Sequence, residues 1–279
     1  PAMHKEDTTD TLRFRAVGRR TVLARFDGGT LTSDGGALLL REAEHRTGVL
    51  RRFAACFTDH RDPSRVQHPV AALIRQRVYA LAAGYEDLND HEQLRHDPVF
   101  AVLAEAGDLT KPLAGKSTLD RLELTGEVVR PGERYKKIAV DFPAIDRVLV
   151  EVFLAAYSEP PQELILDLDA TDDPVHGAQE GRFFHGYYDE YCYLPLYIFC
   201  GEHLLGARLR PGNSDAAAGA QEEVGRLVTQ IRAVWPEVRL TLRADSGFCR
   251  NALLSWCEAN HVDYVIGLAK NERLATLIA

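Results

Sequence analysis

The sequence predicts a mixed α/β chain (α+β overall), a mainly helical first part followed by a five-stranded sheet flanked by helices. Apolar residues recur at helical spacing through much of residues 31–158. From Glu163 onward the pattern changes to short β-branched and apolar runs separated by turn residues. Two of those runs, Glu163–Thr171 and Val238–Gly247, each carry an aspartate at or near the carboxyl end. The domain boundaries that follow are an N-terminal arm with short strands (1–30), a mainly helical domain (31–158) and a sheet domain (159–279).

Taken in order, residues 1–10 are polar and read as disordered. Residues 11–27 read as two short strands around Gly18. Leu31-Thr-Ser-Asp-Gly-Gly36 leads into a helix bearing Leu38, Leu39 and Leu40, with Ser33 or Asp34 as cap. A second helix starts after Pro69 and runs through Leu73, Ile74, Val78 and Leu81 to Gly84. Shorter helices follow around 87–94, 100–105 and 117–124, and another carries Ile145, Val148, Leu149 and Phe153 up to Pro160-Pro161. The second part reads as strands at 163–170, 191–200 and 203–210, then a long helix capped by Ser214 or Asp215. Val224, Leu227, Val228, Ile231 and Trp235 form its apolar face. A strand at 238–244, a helix at about 250–260 and a strand at 263–268 complete the order β-β-β-α-β-α-β. That order is the start of a ribonuclease-H-like mixed sheet.

No apolar run approaches the roughly 20 residues that span a bilayer, so no membrane partner is expected. The N-terminus has no hydrophobic core of a signal peptide. The five cysteines, at 56, 192, 200, 249 and 257, show neither disulfide nor zinc spacing. Together these point to a reduced, cytoplasmic setting. Net charge is −8, distributed unevenly: residues 1–140 sum to +2 and residues 141–279 to −10. An acidic half repels a polyanion unless metal ions neutralise it. Arg13, Arg15, Arg19, Arg20 and Arg25 cluster in the first part, and Arg19 and Arg20 are candidate phosphate contacts there. A solvated basic strand pair is an equal reading.

The two strand-borne acids carry the chemistry. Asp167 and Asp169 have the same parity and share a face, whereas Leu166 and Leu168 point the other way. Asp245 ends its strand at Ser246-Gly247, where glycine permits an abrupt turn. An unpaired carboxylate on an otherwise apolar strand is costly. Two such strands side by side are most simply reconciled by a divalent cation held on oxygen ligands. His176, Gln179 and His185 lie in a His-, Gly- and aromatic-rich segment that suits either a hairpin loop contacting DNA or plain packing; the histidine spacing fits no compact zinc motif. Arg210 and Asn213 offer a cation and an amide beside a helix start, useful for phosphate, with a plain turn as the other reading of Asn213. Asp172 and Asp173 read as turn residues. Gly115-Lys-Ser-Thr118 imitates the end of a phosphate-binding loop, but the position five residues before Gly115 is Thr110, so it reads as a helix start capped by Ser117.

The segments Leu166–Gly181, Leu209–Asn213, Arg243–Phe248 and Tyr264–Asn271 resemble the group 1 DDE-domain transposases of bacterial insertion sequences. Gly36–Glu42, Gly84–Asp90 and Ser117–Glu123 resemble that family's N-terminal half. The resemblance implies a ribonuclease-H-like catalytic domain whose three acids hold two Mg²⁺ ions, with Mn²⁺ able to substitute. It assigns Asp169 and Asp245 as catalytic metal ligands, with Asp167 as the less favoured choice. Arg243 and Lys270, inside matching segments, join the DNA-contact candidates. The implied activity is DNA strand cleavage and transfer in transposition. The implied partners are the element's terminal inverted repeats and target DNA, bound by a homodimer at the bacterial nucleoid. The third acid, a glutamate on a later helix, has no convincing match: Glu258 comes too early and Glu272 lies in a different context. The expectation is therefore a C-terminally truncated transposase. The alternative is a non-catalytic DNA-binding or dimerising fragment that regulates a full-length partner.

Overall fold

The computed structural model describes residues 12–24, 31–269 and 271–278. The expectation for residues 1–10, and the candidates Arg25 and Lys270, lie outside the described residues. The chain divides into two compact units, 1–141 and 142–279.

The first unit opens with an antiparallel ribbon, β1 (Leu12–Val17) and β2 (Arg20–Ala24), turning at Gly18 as the sequence predicts. Helices α1 (Leu38–Thr47) and α2 (Val49–Ala54) follow, then strand β3 (Phe57–Asp59). Next come α3 (Val70–Ala82), α4 (His91–Leu94), α5 (Pro98–Leu103) and α6 (Lys116–Glu123), and the unit closes with β4 (Ile138–Val140). The antiparallel pairing of β3 with β4 joins residues some eighty positions apart and has no local sequence signal. Asp34 precedes its helix, but its carboxylate accepts a hydrogen bond from the Tyr85 hydroxyl (3.0 Å) rather than capping. α6 starts from Gly115, not Ser117. The Lys116 amide donates to Glu92 Oε1 (3.0 Å) and the Lys116 ammonium to Asn89 Oδ1 (2.8 Å), so a carboxylate from another helix replaces the expected cap.

The second unit begins with α7 (Phe142–Ala155), earlier than the boundary expected at Pro160-Pro161. Val150 and Phe153 of α7 belong to the same core as the sheet, so the helix is part of the sheet's own hydrophobic layer. Strands β5 (Glu163–Ala170), β6 (Asp173–Pro174), β7 (Phe183–His185), β8 (Glu190–Tyr193), β9 (Leu196–Cys200) and β10 (His203–Arg208) follow. The unit continues with α8 (Ala220–Val234), β11 (Arg239–Ala244), α9 (Asn251–Ala259), β12 (Asp263–Ile266) and α10 (Glu272–Ile278). The main sheet has the order β10-β9-β5-β11-β12. β5, β11 and β12 are parallel, and β9 and β10 antiparallel to their neighbours. This is the ribonuclease-H-like arrangement that the element order predicts.

The single strand expected at 191–200 is two. β8 pairs with β6 and β7 in a separate three-stranded sheet, while β9 joins the main one. Pro195 lies between them and has no amide to donate, so the ladder breaks there. Asp173 is accordingly a strand residue paired with Tyr193, not a turn residue. The long helix starts at Ala220 after Gly219 (φ 73°), later than Ser214 or Asp215. The carbonyls of Asp215, Ala216 and Ala218 instead converge on the Arg210 guanidinium, which winds residues 215–218 into a loop.

The core lies between the sheet and α7, α8 and α9. Leu164, Leu166 and Leu168 of β5, Leu240 and Leu242 of β11, and Val224, Leu227, Val228 and Ile231 of α8 are all buried in it. Arg208 pins its edge. Its guanidinium reaches Asp146 of α7 at 2.6 and 2.7 Å and Glu223 of α8 at 2.5 Å, and Glu223 also holds Arg226. These hydrogen bonds push the Arg208 pKa well up from its usual value. Arg208→Ala leaves the half-buried Asp146 carboxylate without a cation and Glu223 with Arg226 alone, and lowers unfolding stability by about 2 kcal/mol, read from urea midpoints. An unchanged midpoint would show the network to be idle.

Candidate active site

β5 and β11 run parallel and in register: Arg239 faces Glu163, Thr241 faces Ile165, Arg243 faces Asp167 and Ala244 faces Leu168. Continued by one residue, the register sets Asp245 beside Asp169, with neighbouring strands about 4.8 Å apart. Asp245 keeps an extended backbone, so the face alternation persists through it. Leu164, Leu166 and Leu168 alternate inward, leaving Glu163, Asp167 and Asp169 on the outward face.

The rungs of that outward face can be compared directly. Glu163 accepts hydrogen bonds from Arg239 (3.4 Å) and Thr241 (3.2 Å). Asp167 is gripped by both arms of Arg243, Nη2 at 2.8 Å, which pushes the Arg243 pKa up. These are complementary cross-strand pairs. The last rung is not: Asp169 and Asp245 are both acidic, both exposed, and no cation pairs with either among the described residues. Asp245 Oδ1 accepts the Gly247 amide (2.8 Å) in the turn, which fixes the carboxylate at the strand end. An oxygen-only donor pair at the carboxyl end of parallel strands, with like charges left facing, suits a hard divalent cation.

The turn behind Asp245 is tight because of a second strand's glycine. Gly267, after β12, donates its amide to Ala244 O (3.1 Å), and a Cβ there would lie 2.9 Å from the Ser246 nitrogen. Gly267→Ala therefore displaces the Asp245 turn, and DNA-nicking activity falls more than thermal stability does. Equal activity in the variant would detach this glycine from the site.

The three-stranded sheet stands next to the acids. The Tyr188 hydroxyl donates to Ala170 O (3.4 Å), and its ring lies on His185 (4.9 Å between centroids). Burial first, then the negative charges of Asp172, Asp169 and Asp245 and the neighbouring Tyr187, push the Tyr188 pKa up, so the phenol stays protonated at neutral pH. A hydrogen bond with Asp172 holds the Glu190 carboxyl above the usual carboxylate range. Tyr188 was not singled out from sequence; the paired Tyr187-Tyr188 after His185-Gly186 was its only signal.

The other candidates separate. Asp167 is committed to Arg243, which argues against it as a metal ligand and occupies Arg243. Arg210 is a correction: it is buried, with Nε donating to Leu194 O (2.8 Å) and Nη1 to the loop carbonyls, so it braces residues 211–218 rather than meeting DNA. His185 is half-buried, with its Nδ1 enclosed and its ring packed on Tyr188, the packing role that the sequence left open. His176, Gln179 and Asn213 are exposed, as are Arg19 and Arg20 in the first unit. Glu258 accepts a hydrogen bond from the Tyr264 hydroxyl (2.9 Å). Among the described residues, no group of three or more His, Cys, Asp or Glu side chains converges to hold a metal. No helix among them is long and apolar enough to cross a membrane.

The sequence model of the family described as "Transposase DDE domain group 1" matches residues 14–279. The chain belongs to this family. Its DDE domain is also similar in fold to solved transposases. The catalytic domain of the Mos1 mariner transposase is 16% identical, with 46% of this chain and 62% of that one covered and a TM-score of 0.29. The piggyBac transposase in a synaptic complex with hairpin DNA is 13% identical, with 87% and 53% covered and a TM-score of 0.42. The chain thus spans less than two thirds of either. Comparison with curated protein sequences gives no significant match.

Proposed function

We propose that this DDE domain takes part in divalent-metal-dependent cleavage and transfer of DNA strands during transposition of an insertion sequence. The observation that carries the reading is the acidic rung Asp169/Asp245, set at the end of a face whose other charged rungs are neutralised. Mg²⁺ fits the all-oxygen, partly open donor set, and Mn²⁺ is a close substitute. Such an ion pair, when bound, supplies nucleophile activation and stabilisation of the leaving oxygen at a phosphodiester.

The chain's own residues do the positioning. The β5–β11 register fixes the spacing of the two carboxylates, the Gly247 amide orients Asp245, and Arg243 holds Asp167 away from the pair. Tyr188 keeps the three-stranded sheet against Ala170, beside Asp169. The DNA partners in this reading are terminal inverted repeats and target DNA, met by exposed Asn213, His176 and Gln179 and by the arginines of the β1–β2 ribbon. A homodimer would present two such sites.

The absence of a third converging acid among the described residues favours a second reading, a DNA-binding domain that does not cut by itself. Supercoiled-plasmid nicking with Mg²⁺ or Mn²⁺ separates the two. The first predicts nicking that Asp245→Asn abolishes. The second predicts none, with a mobility shift on inverted-repeat DNA that survives EDTA. Neither nicking nor binding would sink both.

A further inference from the structure

The helical first unit contains a cavity of about 630 Å³ between the first turn of α3 and the loop that follows α5. Clefts of that size take small ligands. Alanines, prolines and Leu113 form about half of its wall, and its charged groups are distributed by depth. Arg75 and Arg95 are the more buried, with 17% and 29% of their side chains exposed. Glu105, which binds Arg75 at 2.9 Å, and Asp108, which lies 3.4 Å from Lys111, sit at the more exposed rim.

Arg95 is the group short of partners. Its nearest carboxylate oxygen, on Glu92, is 3.9 Å away, beyond hydrogen-bond length; its Nε is enclosed by the protein, so its terminal nitrogens are the donors open to a ligand. Buried guanidinium N–H groups are normally satisfied, and oxyanions satisfy them best. His68, which also lines the cavity, reports the local field. Burial first, then the charges of Arg95 and Arg61, hold its ring below the usual histidine range. Glu105 and Asp108 compensate Arg75 and Lys111, which leaves Arg95 as the cation of the cavity without an acceptor at hydrogen-bond distance. A planar fork lacking an acceptor favours phosphate over a single carboxylate oxygen, and the volume leaves room for the sugar or nucleoside that carries it.

The geometry points to a phosphate-binding cleft in the helical unit, in which a phosphate mono- or diester seats against Arg95 with Arg75 and Lys111 flanking it. The phosphate could belong to a DNA backbone or to a free nucleotide. The site uses none of the Asp169/Asp245 machinery and does not depend on the reading given to it.

The test is NMR of the His68 ring in the full chain, titrated with inorganic phosphate at ionic strength held constant with sodium chloride. Saturable shifts and a raised His68 pKa are expected, since a bound dianion offsets the arginine field. Arg95→Gln weakens the phosphate affinity about tenfold or more. Arg95→Lys keeps the charge, loses the fork and falls between the two, which covers the case in which the glutamine variant is unfolded. Competition then assigns the source: a duplex without terminal phosphates displaces inorganic phosphate if the ligand is backbone, and adenosine monophosphate does so if it is a nucleotide. Asp245→Asn leaves the phosphate titration unchanged, so loss of nicking and loss of this site are separable. No saturable response up to about 50 mM phosphate, a range in which binding would be weaker than roughly 2 kcal/mol, overturns the inference. So does equal affinity in the two Arg95 variants and the parent.

Discussion

Asp169→Asn and Asp245→Asn each reduce metal-supported plasmid nicking by about a hundredfold or more, the scale seen when one group stabilising a transition-state charge is removed. Neither substitution lowers thermal stability in EDTA. Asparagine is nearly isosteric, keeps an oxygen for the Gly247 amide, and removes a like-charge rung that costs stability in the absence of a cation. Added Mn²⁺ raises the melting temperature of the parent, because an ion that binds only the folded state stabilises it by mass action. That rise disappears in both variants. Asp167→Asn behaves differently: it breaks the Arg243 pair and changes nicking little. Parental nicking in the Asp169 and Asp245 variants, or a loss confined to Asp167→Asn, would assign the metal site wrongly to this rung.

Gly212→Ala is the substitution with the largest expected structural effect. Gly212 is buried where the loop after β10 crosses the three-stranded sheet. A Cβ there would overlap the Cys192 carbonyl oxygen and lie 2.9 Å from the Phe183 carbonyl oxygen. Both are backbone atoms, so no rotamer change relieves the clash. The sheet must move, at a cost of about 3 kcal/mol. Because Tyr188 and Ala170 tie that sheet to the acidic strand end, nicking should fall together with the melting temperature. Near-ultraviolet circular dichroism, sensitive to Tyr187, Tyr188 and Tyr191, should lose intensity. A variant with parental stability would show the loop and the small sheet to be independent.

The strands of the main sheet were legible because alternation in β5 and β11 is strong: leucines fall at every second position, with charged residues, Ile165 or Thr241 between them. Asp169 and Asp245 were legible for the same reason, as charges at the ends of apolar runs. The strand break at Pro195 was also written in the chain, although the apolar residues on either side mask it. What failed was the assignment of polar side chains near the site. Arg210 has the composition of a phosphate ligand, and only the folded loop shows its Nε and Nη1 taken by carbonyls at 2.8–3.0 Å, with Nη2 enclosed and lacking an acceptor. For His185 the sequence left DNA contact and packing open, and the fold sets its ring on Tyr188. The Ser117 cap failed because Glu92, 24 positions before Lys116, supplies the acceptor for the Lys116 amide.

The sequence by itself determined the family, the order of strands and helices, and which two aspartates end adjacent apolar strands. Those properties are local: periodicity, turn residues and short motifs act within a few positions. Tertiary structure alone decided that Arg243 neutralises Asp167, that Asp169 and Asp245 form the one uncompensated acidic rung among the described charged rungs of β5 and β11, and that Tyr188 reaches the end of β5. Each of those depends on register between strands 76 residues apart, or on the docking of a separate small sheet. A strand's alternation says which face a side chain takes, but only pairing says which charge stands opposite.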